Sequence, residues 1–148
     1  MPALLSATLT EAARRFGDRP ALVAGECRVS FQQLDTAGHE VGAWLQGLGL
    51  RRESSIEPDA PPVVAVMLPP CPEHHALMVG AARAGWVVAG INRRLAADQR
   101  AAALAVLDPD LLVTTADLAS PGRWERLVLE PAEHADDVAD ACRIRGAT

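Results

Sequence analysis

The residues best suited to chemistry lie in one short stretch, CPEHH, at positions 71–75. Cysteine, glutamate and histidine are common metal ligands, and His39 is a further candidate from elsewhere in the chain. His74 and His75 are adjacent, and adjacent residues of a helix point about 100° apart, so the pair cannot share a ligand-bearing face. No second cluster completes a ligand set, and we predict ordinary polar residues at the start of a helix.

The second chemical interpretation is a nucleophile, for which Cys71 and Ser30 are the candidates. Cys71 stands between prolines at the predicted helix start, where the helix dipole would favour its thiolate. Nothing in the sequence orients a base against it, and Ser30 has the spacing of a helix cap. The sequence therefore predicts no catalytic nucleophile. A small enzyme built around Cys71 and the two adjacent histidines is a weaker alternative.

Phosphate binding requires backbone N–H groups in a glycine-rich loop, usually with a lysine or a hydroxyl side chain. The glycine-bearing strand ends, at residues 89–91 and 119–122, are not glycine-rich, and all 14 basic residues are arginines. Arg93 and Arg94 follow a strand end, where neighbouring arginines are expected to form surface salt bridges. We predict no catalytic, cofactor-binding or metal-binding residue in this chain.

The composition is that of a globular protein. Of the 148 residues, 49% are hydrophobic and 22% are charged, and the chain is long enough to bury a core. The formal charge of −5 and the lack of a basic stripe argue against a nucleic-acid partner. The three widely spaced cysteines, together with an N-terminus unlike a signal peptide and no long apolar segment, predict a cytoplasmic protein without a membrane span.

The centre of the chain has the pattern strand, helix, strand. Val63–Met67 and Trp86–Ala89 are continuous apolar runs, as expected of parallel strands that are covered on both faces. Between them, Glu73–Ala84 is rich in helix-forming residues, and Gly85 follows at the position after the helix end. Two strands joined by a crossover helix form a right-handed βαβ unit. This unit predicts an α/β fold with a mostly parallel sheet and flanking helices.

Ahead of this unit, the pattern predicts a helix, a small β-hairpin and a second helix. The first helix is capped by Thr8 or Thr10. Gly25-Glu26, between two short apolar runs, is typical of a two-residue hairpin loop. Ser30 stands three residues before Gln33, which is the spacing of a capping box. The second helix has one apolar face, formed by Phe31, Leu34, Gly38, Val41, Leu45 and Leu48.

After the central unit, the sequence predicts a helix at Ala97–Leu107, strands at Leu111–Thr114 and Arg126–Leu129, a helical turn at Thr115–Ala119 and a weak acidic helix at Ala132–Cys142. All these elements belong to a single incomplete domain, 1–148. Its parts are a helix, hairpin and capped helix (1–50), a Pro-rich loop (51–62), a βαβαβ core (63–130), and a weak helix and tail (131–148).

Three stretches resemble the N-terminal part of the adenylate-forming synthetases, which include acyl-CoA synthetases and peptide-synthetase adenylation domains. They are PALVAGECRVSFQQL (20–34), VAVMLPPCPE (64–73) and ALMVGAARAGWVVAGINRRLAADQ (76–99). The Asn-x-Arg-Leu form at 92–95 is similar to the acyl-CoA synthetase branch. The chain departs from the family in having Pro70 where Asn is common and Gly90 where Pro is common.

The resemblance implies that the complete enzyme uses ATP and Mg to join a carboxylate to AMP, and then transfers the acyl group to a thiol such as CoA. In the family, ATP is held by a Ser/Thr/Gly-rich loop ending in Pro-Lys-Gly, and a later Lys serves catalysis. These 148 residues contain no Lys. We therefore expect a truncated N-terminal portion of an ATP-dependent acyl-CoA synthetase, a fatty-acid–CoA ligase-like enzyme, that is inactive alone.

A second hypothesis is a stand-alone, non-catalytic interaction or complementation module of the same fold. A cut through a larger ligase would leave a sheet edge and apolar helix faces uncovered, and such surfaces tend to find partners. The partner would be the remainder of a ligase, or a second copy of the chain in a homodimer formed through that edge.

Overall fold

The structure, a computed structural model, describes residues 4–52 and 57–118 together with the backbone of 125–128. It contains an antiparallel hairpin and a four-stranded sheet with strand order β4-β3-β5-β6, in which every neighbouring pair is parallel. This is the predicted α/β class. The elements are α1 (Leu5–Phe16), β1 (Pro20–Ala24), β2 (Cys27–Ser30), α2 (Phe31–Gly47), β3 (Val63–Met67), α3 (Pro72–Ala84), β4 (Val87–Gly90), α4 (Ala97–Leu107), β5 (Leu111–Thr114), a 3₁₀ turn (Ala116–Leu118) and β6 (Glu125–Val128).

The first helix begins earlier than predicted. Its N-cap residue is Leu4, which makes no side-chain capping bond. The Thr8 hydroxyl donates to the Leu4 carbonyl oxygen at 3.1 Å, and the Thr10 hydroxyl donates to Asp35 Oδ1 on α2 at 2.9 Å. The predicted threonine cap is therefore wrong, because both hydroxyl groups have partners other than the first N–H groups of the helix.

The hairpin and the capped helix α2 are confirmed. Ala24 lies opposite Cys27, and Gly25 in the two-residue loop has a φ of 61°, a conformation that favours glycine. The Gln33 N–H donates to Ser30 Oγ at 3.1 Å, and the Ser30 N–H donates to Gln33 Oε1 at 2.8 Å. This reciprocal pair is a capping box, and it fixes the start of α2 directly after β2.

The central βαβ unit is confirmed, with two corrections. The second strand runs over Val87–Gly90, one residue later than predicted, and it lies at the edge of the sheet with Val87 45% exposed. Coverage on both faces therefore holds for β3, whose five residues are all buried, but not for β4. The fourth strand, Glu125–Val128, begins one residue earlier than predicted. The predicted helix at 132–142 lies outside the described residues.

Side chains of β3 and β5 alternate between two apolar clusters, one on each face of the sheet. We call these the α2–α3 face and the α4 face. The α2–α3 face receives Val64, Val66, Leu111 and Val113 and contains most of the core. The α4 face is smaller, with four buried residues: Ala65, Met67, Leu104 and Leu112.

Helices α2 and α3 approach each other closely because glycines lie where they cross. A Cβ atom placed on Gly80 would lie 2.4 Å from Val41 Cγ1 and 2.9 Å from the Gly42 nitrogen. The contact is fastened by Arg83 of α3, which forms an ion pair with Asp35 and donates to Thr10 Oγ1 of α1 at 2.7 Å. Three helices are thus joined on one face of the sheet, and the hairpin lies beside them.

Candidate functional site

The CPEHH stretch lies where the chain leaves the carboxyl end of β3 and enters α3. Cys71 is the N-cap residue of α3 and Pro72 is its first residue. The Glu73 side chain, in the first turn, is fully buried. In parallel sheets, ligands usually bind at the carboxyl ends of the strands. The candidate chemical residues of the sequence therefore lie at the edge of the sheet where a binding site is most expected.

Cys71 is not suited to act as a nucleophile. The pKa of its thiol is raised from 9.0 to about 12, mainly by burial; the backbone N–H of His74 opposes this increase, and the Glu73 carboxylate adds to it. A thiol of such high pKa is protonated at neutral pH, whereas the nucleophile is the thiolate. The expected stabilisation of the thiolate at the helix start is therefore wrong, because desolvation is the larger effect. The other candidate, Ser30, serves as the cap of α2.

The histidines are separated by the local geometry. The ring centroids of His74 and His75 are 6.0 Å apart. Nδ1 of His75 lies 3.0 Å from the Cys71 carbonyl oxygen, while Nδ1 of His39 lies 3.0 Å from the Asp35 carbonyl oxygen on α2. Burial lowers the pKa of His74, and His75 adds to this effect. In the part of the chain that the structure describes, no group of three or more His, Cys, Asp or Glu residues could hold a metal ion.

Two helix N-termini lie at the carboxyl edge of the sheet, and neither is well suited to an anion. Pro72 lacks an N–H group, and Glu73 places a carboxylate in the first turn of α3. The first turn of α4 contains Asp98, and the side chain of Gln99 already accepts the N–H of Ala96 at 3.1 Å. Because an N-terminus attracts phosphate through free N–H groups and its positive dipole end, an acidic residue there works against binding.

The basic residues that follow β4 point into solvent. Arg93 and Arg94 are both exposed, and no carboxylate of the described residues is within ion-pair distance of either guanidinium. The expected surface salt bridges are therefore not formed with any of the described residues. The Arg94 N–H instead donates to Asn92 Oδ1 at 3.0 Å, and the Leu95 N–H donates to the Asn92 carbonyl oxygen at 3.2 Å. The Asn-x-Arg-Leu motif thus forms a turn that leads into α4.

A cavity of about 350 Å³ lies between the tip of the hairpin and the start of α3. The sequence did not predict it, because residues far apart in the chain meet there only after the hairpin has packed beside α3. The one indication in the sequence is that Cys27 and the CPEHH stretch supply reactive side chains, which are often found in pockets. The lining residues are Ala21, Leu22, Val23, Ala24, Cys27, Pro70, Cys71, Pro72 and His75.

Comparison with known proteins identifies the family of this chain. A family model described as AMP-binding enzyme matches residues 9–146, which is almost the whole chain. The chain belongs to the AMP-binding enzyme family. The family match agrees with the resemblance to adenylate-forming synthetases in residues 20–34, 64–73 and 76–99. No curated protein matches the chain.

Solved structures with a similar fold include parts of adenylation enzymes. The chain is 19% identical to the N-terminal subdomain of Klebsiella oxytoca NpsA in complex with 3-hydroxyanthranilyl-AMSN, covering 99% of this chain and 34% of that one at a TM-score of 0.75. NpsA-ThdA, an artificially fused adenylation–PCP di-domain from Klebsiella oxytoca, is 18% identical, with 97% and 24% covered and a TM-score of 0.72. The AMPPNP-bound nonribosomal peptide synthetase FmoA3 is 21% identical, with 98% and 14% covered and a TM-score of 0.73.

The chain spans about a third of the length of the NpsA subdomain that it matches. It corresponds to the N-terminal part of an adenylate-forming enzyme, as the resemblance implied. Within the described residues, no helix combines the length and the apolar character needed to cross a membrane.

Proposed function

We propose that the chain is the N-terminal portion of an ATP-dependent acid–thiol ligase, and that residues 1–148 form one incomplete domain of it. The observation that carries this proposal is the family match over residues 9–146. The complete enzyme would join a carboxylate to AMP and pass the acyl group to a thiol. ATP, Mg and CoA would bind mainly to residues outside this chain, where the resemblance places the phosphate loop and the catalytic Lys.

The acyl-CoA synthetase branch is the one that we favour. The support is the Asn-x-Arg-Leu motif, in which Asn92 closes the turn between β4 and α4 through its side chain and its carbonyl oxygen. The peptide-synthetase structures are 18–21% identical to this chain, and at that level they show the shared fold rather than a shared substrate. A fatty acid or another carboxylic acid is the substrate class that we propose for the complete enzyme.

We further propose that these 148 residues are inactive by themselves. The α-phosphate gains negative charge during adenylation, and the chain contains no Lys to meet it. The N-termini of α3 and α4 each carry an acidic first-turn residue, Glu73 and Asp98. The described part of the chain would therefore act as the scaffold against which the catalytic remainder packs.

The test is acid-dependent exchange of pyrophosphate into ATP by the purified chain, with acetate, octanoate and benzoate as acids. The expected result is no exchange above a blank without protein, while a complete enzyme of the family is active in the same buffer. Exchange that requires both the chain and the acid would contradict the proposed inactivity. Reading the DNA directly downstream of the Thr148 codon gives a second test. A frame encoding the Gly-rich loop and a later Lys would support the ligase, and a stop followed by unrelated sequence would oppose it.

The interaction module remains a second candidate because β4 is an edge strand of the sheet. Val87 and Ile91 donate their N–H groups to the carbonyl oxygens of Pro62, just before β3, and Val66, within β3, at 2.9 and 3.0 Å. Residues alternate along a strand, so the backbone N–H groups of Val88 and Gly90 face away from β3. A strand of a second copy or of a ligase remainder could pair there.

Light scattering of the chain and of Gly90→Pro tests this candidate. If the edge pairs two copies, the chain is a dimer and Gly90→Pro is a monomer, because proline removes one outward donor without breaking a bond to β3. Gly90→Ala is the matched control and should remain a dimer. A monomeric chain at all concentrations would rule out the homodimer.

A further inference from the structure

The cavity beneath the hairpin tip is separate from the phosphate loop and the catalytic Lys, which the resemblance places outside these 148 residues. It lies between β1, the tip residue Cys27 and the first turn of α3, and its volume is about 350 Å³. An apolar cavity of about 150 Å³ already holds a benzene ring. Ligand pockets in proteins usually measure about 300–1,000 Å³. The cavity is therefore large enough for a ring with one or two small substituents.

The walls of the cavity favour an uncharged ligand. Alanine, leucine, valine and proline side chains form most of the lining, and no Asp, Glu or Arg is among the lining residues. An ion placed there would lose hydration without gaining an opposite charge. The two sulfur atoms, in Cys27 and Cys71, are soft and weakly polar, so they are compatible with an apolar guest.

Among the described lining residues, His75 has the one strongly hydrogen-bonding side chain. Its Nδ1 lies 3.0 Å from the Cys71 carbonyl oxygen, which can only accept a hydrogen bond. Nδ1 must therefore carry the proton, and in the neutral ring Nε2 is left as an acceptor. The side chain is exposed, so Nε2 is accessible to a ligand. A guest with a hydroxyl or N–H group would satisfy this acceptor.

We propose that the cavity beneath the hairpin tip binds a small, uncharged, mostly apolar molecule that carries one hydrogen-bond donor, such as an alcohol or a phenol. The apolar walls hold the body of the ligand, and His75 Nε2 accepts its donor. The test of this site measures binding alone, so its outcome does not depend on whether the complete protein adenylates a carboxylate.

Two probes that share a methylbenzene frame test the proposal, p-cresol and toluene; p-cresol differs only in its hydroxyl donor. Each is titrated into the ¹⁵N-labelled 148-residue chain and followed by backbone amide shifts. Saturable shifts at residues 21–27 and 70–75 are expected with both probes. One hydrogen bond should make p-cresol bind roughly threefold to tenfold more tightly than toluene.

Two variants locate the binding. His75→Phe keeps an aromatic ring but removes the acceptor, so it should abolish the preference for p-cresol while toluene still binds. Ala24→Trp fills the cavity and should abolish both sets of shifts. Ala105→Trp, the same change on the exposed side of α4, is the control and should bind both probes like the unchanged chain.

Several results would overturn the proposal. They are the lack of saturable shifts with either probe, shifts that are confined to other parts of the chain, and binding that Ala24→Trp leaves unchanged. If Ala24→Trp fails to fold, His75→Phe still decides the role of the acceptor, since a retained preference for p-cresol would contradict it.

Discussion

The two faces of the parallel sheet are held in different ways. On the α2–α3 face, α3 buries seven of its residues, and its glycine contacts bring it close to α2. On the α4 face, α4 buries only Leu104, and Val106 on its outer side is 90% exposed. The difference shows that one face is completed by the described residues, while the other leaves most of its helix in contact with solvent.

Polar contacts compensate for the sparse packing of α4. Arg52 donates to the carbonyl oxygens of Asp108 and Leu107 at 2.9 and 3.3 Å, which closes the C-terminal end of the helix. It also pairs with Asp110 at 3.3 Å, and Asp110 accepts the N–H of Val63 at 2.8 Å. The end of α4 is thereby tied to the starts of β3 and β5, whereas the body of the helix is held mainly by one leucine.

The largest effect is expected for the reactivity of the two thiols Cys27 and Cys71. Cys71 belongs to the buried cluster of the α2–α3 face, whereas Cys27 is only half-buried. With a pKa of about 12 against 9.0, the Cys71 thiol has about a thousandfold less thiolate than an ordinary thiol at pH 8. Iodoacetamide followed by peptide mass spectrometry should modify Cys27 well before Cys71. Equal rates in the folded chain, with fast modification of both in urea as the control, would contradict the burial of Cys71.

A matched pair of leucine deletions compares the packing of the two faces. Leu77 of α3 is 1% exposed and Leu104 of α4 is 0% exposed, so both alanine variants lose the same buried group. Leu77→Ala should cost about 4 kcal/mol of unfolding free energy, because its close-packed surroundings cannot collapse. Leu104→Ala should cost about 2 kcal/mol, since α4 is free to shift toward the sheet. Urea unfolding measures the unfolding free energy of both variants. Equal losses would contradict the proposed difference in packing between the two faces.

The polar contacts on the two faces can be compared by replacing Arg83 and Arg52 with methionine. Arg83→Met leaves Asp35, which is 16% exposed, without its guanidinium partner and should cost about 2 kcal/mol. Arg52→Met loses hydrogen bonds at a more exposed site and should cost about 1 kcal/mol. Arg14→Met is the control, because the Arg14–Glu11 pair is on the surface and is expected to contribute almost nothing. Thermal unfolding of the three variants would show whether this order is reversed.

The smallest effect is expected at the edge strand. Gly90 has its N–H group directed away from β3 and its φ is not positive, so proline removes no hydrogen bond of the sheet. Gly90→Pro should stabilise the chain by about 0.5 kcal/mol by restricting the unfolded state. The same position is commonly Pro in the family that the sequence resembles. A loss of stability, compared with Gly90→Ala, would show that the outward N–H group is needed.

Much of the fold could be predicted because local signals determine it. The bounds of β3, α4 and β5 agree with the apolar runs and breakers in the sequence, and the capping box of Ser30 and Gln33 is complete within four residues. The threonine cap of α1 failed because Thr10 is drawn to Asp35 of α2, a contact that the local sequence does not contain.

The candidate site was less predictable because its properties depend on contacts between elements that are far apart in the sequence. The thiol pKa of Cys71 depends on burial beneath neighbouring elements, and the cavity depends on how the hairpin packs beside α3. Similarly, the sequence predicted α4 as a helix but did not indicate that most of its residues are exposed. These properties arise from tertiary contacts and not from the order of residue types.

The most direct test of the account is a titration of the ¹⁵N-labelled chain with ATP and Mg²⁺. The central claim is that this part of an AMP-binding enzyme provides a scaffold without a phosphate site at the carboxyl ends of its strands. We predict no saturable amide shifts at residues 71–74, 92–98 or 114–118. Saturable shifts at these turns at millimolar ATP would contradict it, and would show that the N-termini of α3 and α4 bind the nucleotide despite Glu73 and Asp98.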